Sequence, residues 1–525
     1  MKKIKKTEKP ETKKIEKKET KKKENQLVVK KTKEVVGKAK KFIDEKKVFN
    51  VKLKKILSII VCILLLLVVF KFVGGLLSKL FAGKYPEYPM VYQKANGDMM
   101  IIGTKDKNPT KLSSSDSIDY VQYANTTNRY VLYVKNESLY LYDANKKSEK
   151  IKVLKDAKEY YFSKDDKLII ATNKQHDLYM YDYKKLTKLD SEVTSVRAIS
   201  EDYILYIRNG SLYLRRLKEK ADKIKLEDKF GSYAMITENQ KKVLYINKDA
   251  ELKVYNIKKK ESEKIASSVT EYYCDENCNK FYYLTNDDGQ TLYYYNGKEG
   301  LKIVKGLYSV SAIDVDKKIA VYTKNDKNNF TLYYQKADKA AVKVEDDLKT
   351  TVNVEIFKGK ELYYINSDKE LRFAKIRGSK VAPARTVADN VTTSLKGYKK
   401  GYVFLADIDG ASGDLYIAKG GRAKKISSDV YKSYITVNTK GNKIFFFTDY
   451  GSSSGELYYS TGGKPKLISS DVYKYQTIRN NLLYYIKDYN LTERSGDLYR
   501  YTGKSKLVEK EVRAISANPN HFELK

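Results

Sequence analysis

Gly451 to Gly455 reads GSSSG, which matches the G-x-S-x-G turn that exposes a nucleophilic serine in α/β-hydrolases. That chemistry needs a strand–turn–helix context and a histidine to take the serine proton. Here the motif falls between two strand-like segments, and the chain has only two histidines, His176 and His521. His176 is expected in a hairpin turn and His521 near the chain end, so GSSSG reads as a flexible turn. Asp407, Asp409 and Asp414 surround a second Gly-containing turn. Carboxylates at that spacing suit calcium, but the loop lacks the terminal bidentate Glu of the EF-hand. Hairpin turns also use Asp and Gly for conformational reasons. Cys274 and Cys278 flank Asp275-Glu276-Asn277. They can form a short-loop disulfide or remain thiols, and two ligands do not make a zinc site. No catalytic, cofactor-binding or metal residue is assigned, and no cofactor is expected.

These residues sit on a repeat. A strand core, Leu-Tyr in most copies and the leucine without its tyrosine at Leu252 and Leu371, recurs at Leu139, Leu178, Leu212, Leu252, Leu292, Leu332, Leu371, Leu415, Leu457 and Leu498, with Met99-Met100 as a degenerate first copy. The spacing stays between 34 and 44 residues, mostly near 40. Each unit carries four strand signals. In one copy these are 431–438, 443–448, 456–460 and 465–469, joined by turns rich in Asn, Asp and Gly. Four antiparallel strands per 40 residues, repeated in tandem, predict an all-β fold, a β-propeller of about eleven blades. The first copy begins at a second-strand position, Met90-Val91-Tyr92. The chain finishes with Val512-Arg513-Ala514-Ile515-Ser516, identical to the first strand Val196–Ser200 of an internal copy. Pairing of the two ends would build one composite blade and hide both sheet edges. Eleven blades exceed the usual four to eight, so one large ring and two rings are both open, with two slightly favoured.

Phe446-Phe447-Thr448-Asp449 resembles the Tyr-Trp-Thr-Asp signature of low-density-lipoprotein-receptor-type propellers, and the repeat region resembles the TolB-like and receptor-like propellers of clostridial surface proteins. The resemblance covers about 440 residues and implies a propeller fold with a binding role. It transfers no functional residue. Other copies depart from the signature, as in Tyr283-Leu284-Thr285-Asn286, and the chain has no Trp.

Charge and hydropathy organise the rest. The formal net charge of the 525 residues is +37, and only thirteen of the 103 basic residues are Arg. Residues 1–25 are Lys/Glu/Thr-rich and too polar to fold, so a disordered tail is expected. Residues 26–55 carry an apolar stripe, Val28, Val35, Phe42 and Phe49, on a Lys-rich background. This suits a basic juxtamembrane helix on an anionic leaflet, or a solvated linker. Residues 56–77 are apolar apart from Lys71 and long enough to span a bilayer. A buried soluble helix or a cleaved signal peptide fits less well. The lysines before Ile56 place the N-terminus in the cytoplasm. Residues 78–88 read as a linker and 89–525 as the extracytoplasmic propeller.

The expected protein is therefore a single-pass, N-in membrane protein whose exterior domain binds or scaffolds without catalysis. An anionic cell-wall polymer or an envelope protein is the expected partner, and nucleic acid is not. The alternative is a lyase or hydrolase using acids and Tyr in a propeller channel. The excess positive charge outside suits anionic partners but equally suits a lysine-biased composition. Most of the 48 tyrosines are expected to pack between blades rather than bind ligand.

Overall fold

Tyr130-Val131-Leu132-Tyr133-Val134 has no charged or small polar position, as a strand buried on both faces requires. In the computed structural model it forms such a strand, Tyr130–Lys135, with Val131, Leu132 and Tyr133 inaccessible to solvent. The structure describes residues 89–516, apart from 104–108, 115–117, 127–128, 144–149, 288, 327–328, 396, 452 and 479–481, together with Lys33, Glu34 and Gly37. The chain divides into two units, Met1–Lys84 and Tyr85–Lys525. In the first unit the three described residues are helical. The expected tail, the rest of the juxtamembrane helix, the span 56–77 and all but Pro89 of the approach to the first strand lie outside the described residues. Among those described, no helix is long and apolar enough to cross a membrane.

The second unit is built of antiparallel strands in eight sheets: six of four strands, one of five and one of fourteen. The separate sheets give blades 1 to 7, at residues 118–154, 157–190, 193–227, 230–266, 269–305, 309–348 and 354–388. The fourteen-stranded sheet holds the remaining copies, blades 8 to 11, because three long strands each serve two neighbours. Arg422–Tyr431 closes blade 8 and pairs Val430 with Thr448 of blade 9. Lys466–Thr477 closes blade 9 and opens blade 10. Ser505–Ile515 closes blade 10 and pairs with Met90–Lys94, setting Tyr92 opposite Ile515. Blade 11 is thus the expected composite of the two chain ends, completed by Met99–Ile102 and Thr110–Ser113.

The expected strand 431–438 is corrected. Beyond Tyr431 only Thr436–Val437 is strand there, because the outer strand of blade 8 runs on to Tyr431 and its Val430 takes the place beside Thr448. The expected strand 465–469 is likewise the start of a twelve-residue strand.

Eleven apolar clusters fill the spaces between blades, and each joins two consecutive ones. The series ends where it begins: Tyr484 and Leu498 of blade 10 pack on Tyr92 and Ile102 of blade 11, and Ile101 and Leu112 of blade 11 on Val131 and Tyr133 of blade 1. The Leu-Tyr marker has a structural counterpart in every copy. Strands three and four slip register directly after that leucine, from Leu139/Tyr140 to Leu498/Tyr499, including Leu252/Lys253 and Leu371/Arg372 where no tyrosine follows, and at Met99/Met100 in the degenerate copy. The leucine is fully buried in each of the ten copies that have it. Where the following residue and its cross-strand partner are both aromatic they stack, as in Tyr133–Tyr140, Tyr283–Tyr293 and Phe404–Tyr416, with centroids 5.1–5.5 Å apart. The twelve largest fully buried side chains are all tyrosines, so packing is their main role.

Polar ties between the turns of successive blades add to this. Asp166 accepts the Asn125 and Thr126 amides and the Thr126 hydroxyl at 2.5–2.7 Å. Gln240 accepts from Ser200 and Asp202 of the blade before it.

Two outcomes follow for stability. Removing residues 512–525 strips the first strand from blade 11 and exposes Tyr92; melting temperature should fall markedly, with new proteolytic cuts beyond Lys94, and an unchanged melting curve would refute the closure. Hydrogen bonding from Lys264 holds Glu251 down at about 2 from its ordinary 4.5. Its contribution is therefore complete above about pH 4.5 and lost as pH falls through about 2. Glu251→Gln should flatten that part of the stability–pH curve in urea titrations.

Candidate functional site

Each sequence candidate can now be placed. Gly451 donates its amide to the Ser454 carbonyl at 2.9 Å, and Gly455 opens a strand, so GSSSG is a hairpin turn. His176 occupies a turn with φ of 65° and sets Nδ1 3.2 Å from the Val193 carbonyl, while His521 lies outside the described residues. The three aspartates of the suggested calcium loop are not gathered. Asp407 accepts from Asn390, Asp414 is 2.5 Å from Lys425 Nζ, and Asp409 is exposed in its hairpin. Among the described residues no group of three or more His, Cys, Asp or Glu is placed to hold a metal.

Cys274 and Cys278 are joined by a disulfide, with Cα atoms 5.1 Å apart. Met235 of the preceding blade sets its sulfur 3.4 Å from one Sγ and 3.6 Å from the other. The closed turn also touches blade 4 through polar atoms: Glu238 N donates to Glu276 O, and Asn239 N to Asn277 Oδ1. The disulfide thus shapes a contact between blades rather than a reactive centre.

The innermost strands carry the acids that a channel enzyme would use. Glu159, Glu271 and Glu355 belong to blades 2, 5 and 7. Glu271 accepts the Tyr273 hydroxyl at 2.7 Å; burial and that bond push the phenol above its ordinary range. Glu159 lies 3.4 Å from the Val196 amide.

A cleft of about 300 Å³ opens instead at one end of blade 6. Its lining is Asp316, Lys317, Lys318, Lys336, Asp338 and Lys339, contributed by the first and third hairpins. Lys318 adopts φ of 58° and bonds its amide to Val315 O, while Ala337 N donates to Lys318 O and ties the two hairpins. Lys339 pairs with Asp338 at 3.4 Å. Asp338 is held below the ordinary carboxylate range by its own amide and by Lys339 and Lys318, and so stays ionised. Lys317, Lys318 and Lys336 have no acidic partner within 4 Å among the described residues. Four ammonium groups around two carboxylates leave the cleft cationic, suited to phosphate or carboxylate groups. Sequence reasoning missed this cleft. The signal was the pair Lys317-Lys318 facing Lys336 and Lys339 across two turns that a blade must place at the same end.

No family model matches the chain, and no curated protein matches it. The propeller-like repeat of four-stranded sheets therefore stands on the structure, and the finer resemblance to receptor-type or TolB-like families gains no support there. Among solved structures the chain is similar to a eukaryotic initiation factor, at 9% identity over 82% of this chain and 98% of that one, with a TM-score of 0.38. It is also similar to Kluyveromyces lactis Hsv2, at 11% identity over 52% of this chain and 99% of that one, with a TM-score of 0.30. A tricorn protease aligns at 12% identity over 81% of this chain and 58% of that one, with a TM-score of 0.26. None of these likenesses bears on what the chain binds.

A loop closed over so few residues gains only about 2 kcal/mol by chain entropy. Reduction should therefore release two titratable thiols and lower the melting temperature slightly, leaving the fold cooperative. Three free thiols before reduction, Cys62 included, would show that the bond is absent.

Proposed function

We propose that the chain is a single-pass membrane protein whose exterior is one ring of eleven blades that binds or scaffolds anionic polymers or proteins of the cell envelope, without catalysis. The observation that carries this reading is the blade 6 cleft, where three lysines have no acidic partner. The single ring is supported by the cyclic order of the eleven clusters. The anchor is supported by the apolar run 56–77 and the lysines before it. Kinship with receptor-type or TolB-like propellers belongs to the same reading and rests on Phe446–Asp449, at the end of a second strand and the turn after it. A rigid ring whose turns carry the contacts suits a binding module, which needs neither a triad nor a metal.

The test is retention of the purified full chain on isolated envelope polymers at low and high salt, with protease protection of the tail in sealed vesicles. Retention should fall steeply with salt, because the screening length shrinks from about 10 Å at 0.1 M to about 3 Å at 1 M. Replacing the lysines of 26–55 by glutamine should leave retention intact. Salt-insensitive retention, or its loss in the tail variant, would overturn the assignment.

A further inference from the structure

The cleft is one end of a longer feature. In a four-stranded antiparallel blade the first and third hairpins lie at the same end. Contacts keep those ends side by side from blade 6 to blade 9. A Cβ on Gly359 would strike the Lys317 side chain, and Gly420 N donates to Glu361. Lys399 N donates to Gly441 O, and Lys400 Nζ reaches Thr461 O at 3.3 Å. The eight turns at this end are 315–318, 336–341, 358–360, 377–380, 397–401, 419–422, 438–443 and 461–466. Every one carries Lys or Arg, and the only acids within them are Asp316 and Asp338 of the cleft.

The placement is periodic. Lys317, Lys358, Lys399 and Lys440 follow one another at 41-residue intervals, one per first hairpin, and all four are exposed. The third hairpins answer with Lys339, Lys380, Arg422 and Lys464, also exposed. Of these eight, only Lys339 has an ion pair among the described residues. A general lysine bias does not account for this. At the same end of blades 3 and 5, the turns 200–202, 217–222, 275–280 and 296–299 hold seven acids against four lysines. Blade 4, between them, is cationic at this end too, with Lys241 and Lys258–Lys260 against Glu238, so what sets blades 6 to 9 apart is an unbroken run of cationic turns held side by side.

We infer that this arc, from blade 6 to blade 9, is the seat of an extended polyanion bearing repeated phosphate or carboxylate groups and no bases. The inference deepens the envelope-polymer reading and rests on it. Lysines are point charges on flexible stems, which track a repeating charge without demanding one geometry. Base stacking would need aromatic faces in the groove. The exposed aromatics of the described chain, Tyr233 and Tyr308, both lie outside these turns.

The test compares the full chain with two triple variants of equal net charge. One reverses the arc (Lys358→Glu, Lys399→Glu, Lys440→Glu), and the other reverses exposed outer-strand lysines elsewhere (Lys152→Glu, Lys302→Glu, Lys506→Glu). The probes are long-chain polyphosphate, polyglutamate and oligo-dT, at low salt, with melting curves for each protein and a Lys→Gln version of the arc variant should the reversal fail to fold. The arc variant should lose about tenfold or more in affinity for the polyanions while the control stays within about twofold. Preference for polyphosphate or for polyglutamate tells phosphate from carboxylate recognition. Equal losses in both variants, or tighter binding of oligo-dT than of either polymer, would overturn the arc while leaving envelope binding standing. Failure of the unmodified chain to bind either polymer would overturn both.

Discussion

A blade inside a closed series has no solvent face, and the rest of the structure follows from that constraint. Both sides of each sheet must be apolar, so strand alternation gives way to continuous runs such as Tyr130–Val134, which parallel sheets also require for the same reason. Both sides must also be shaped, because a twisted sheet meets its neighbours at an angle. The slip between strands three and four gives a local kink at the same place in every blade. A fully buried leucine marks that place, and the next residue is turned to the opposite side, where stacked tyrosines fill the wedge. Tyr suits the position because it carries a large apolar ring whose hydroxyl can still reach a partner, as Tyr206 reaches Asp190 at 2.7 Å.

This constraint also decides what was legible in the sequence. The kink and the wedge need particular residue types at a fixed place, so the Leu-Tyr marker counted the copies and located their third strands. The composite blade was legible because Val512–Ser516 repeats an internal first strand word for word. What failed was the boundary between copies in blades 8 to 10. A strand crossing from the outer edge of one blade to the inner edge of the next leaves the extended backbone at a single positive-φ residue, Asp429, Asp471 or Glu511, and keeps pairing on both sides of it. Asp156 and Glu192 hold the same place between separate blades, so the residue at the junction does not tell a continuous strand from a broken one. The cleft in blade 6 escaped for a different reason. Its lysines come from two hairpins twenty residues apart, and only the antiparallel order of the blade brings them together.

Turns are where the constraint relaxes. Their backbone need only reverse, which Asn, Asp, Gly and positive-φ residues accomplish in many sequences. Charge can therefore differ from blade to blade without disturbing the core. Acids collect at the turns of blades 3 and 5, where some tie neighbours together, and lysines, of which Lys339 pairs with Asp338, line those of blades 6 to 9. The uniform interior and the uneven surface are two consequences of one architecture: packing fixes the repeat, and the hairpins remain free to specialise.

The order of synthesis adds a further consequence of closure. Met90–Lys94 emerges first, yet its inner-edge partner is Ser505–Ile515, which emerges last. Until then the strand offers an open edge, which is a template for wrong pairing, and the contact it awaits spans more than 400 residues of chain. Met90, Val91 and Tyr92 are fully buried once pairing is complete, so they are also the apolar groups left exposed by its absence. The intervening blades can form without waiting, because each buries one face against the blade made just before it. Closure is then a single late step that converts a row of stacked sheets with two exposed ends into one with none. Its driving force is the cluster that Tyr92, Ile102, Tyr484, Leu498, Val512 and Ile515 share, and that cluster belongs neither to the beginning of the chain nor to its end.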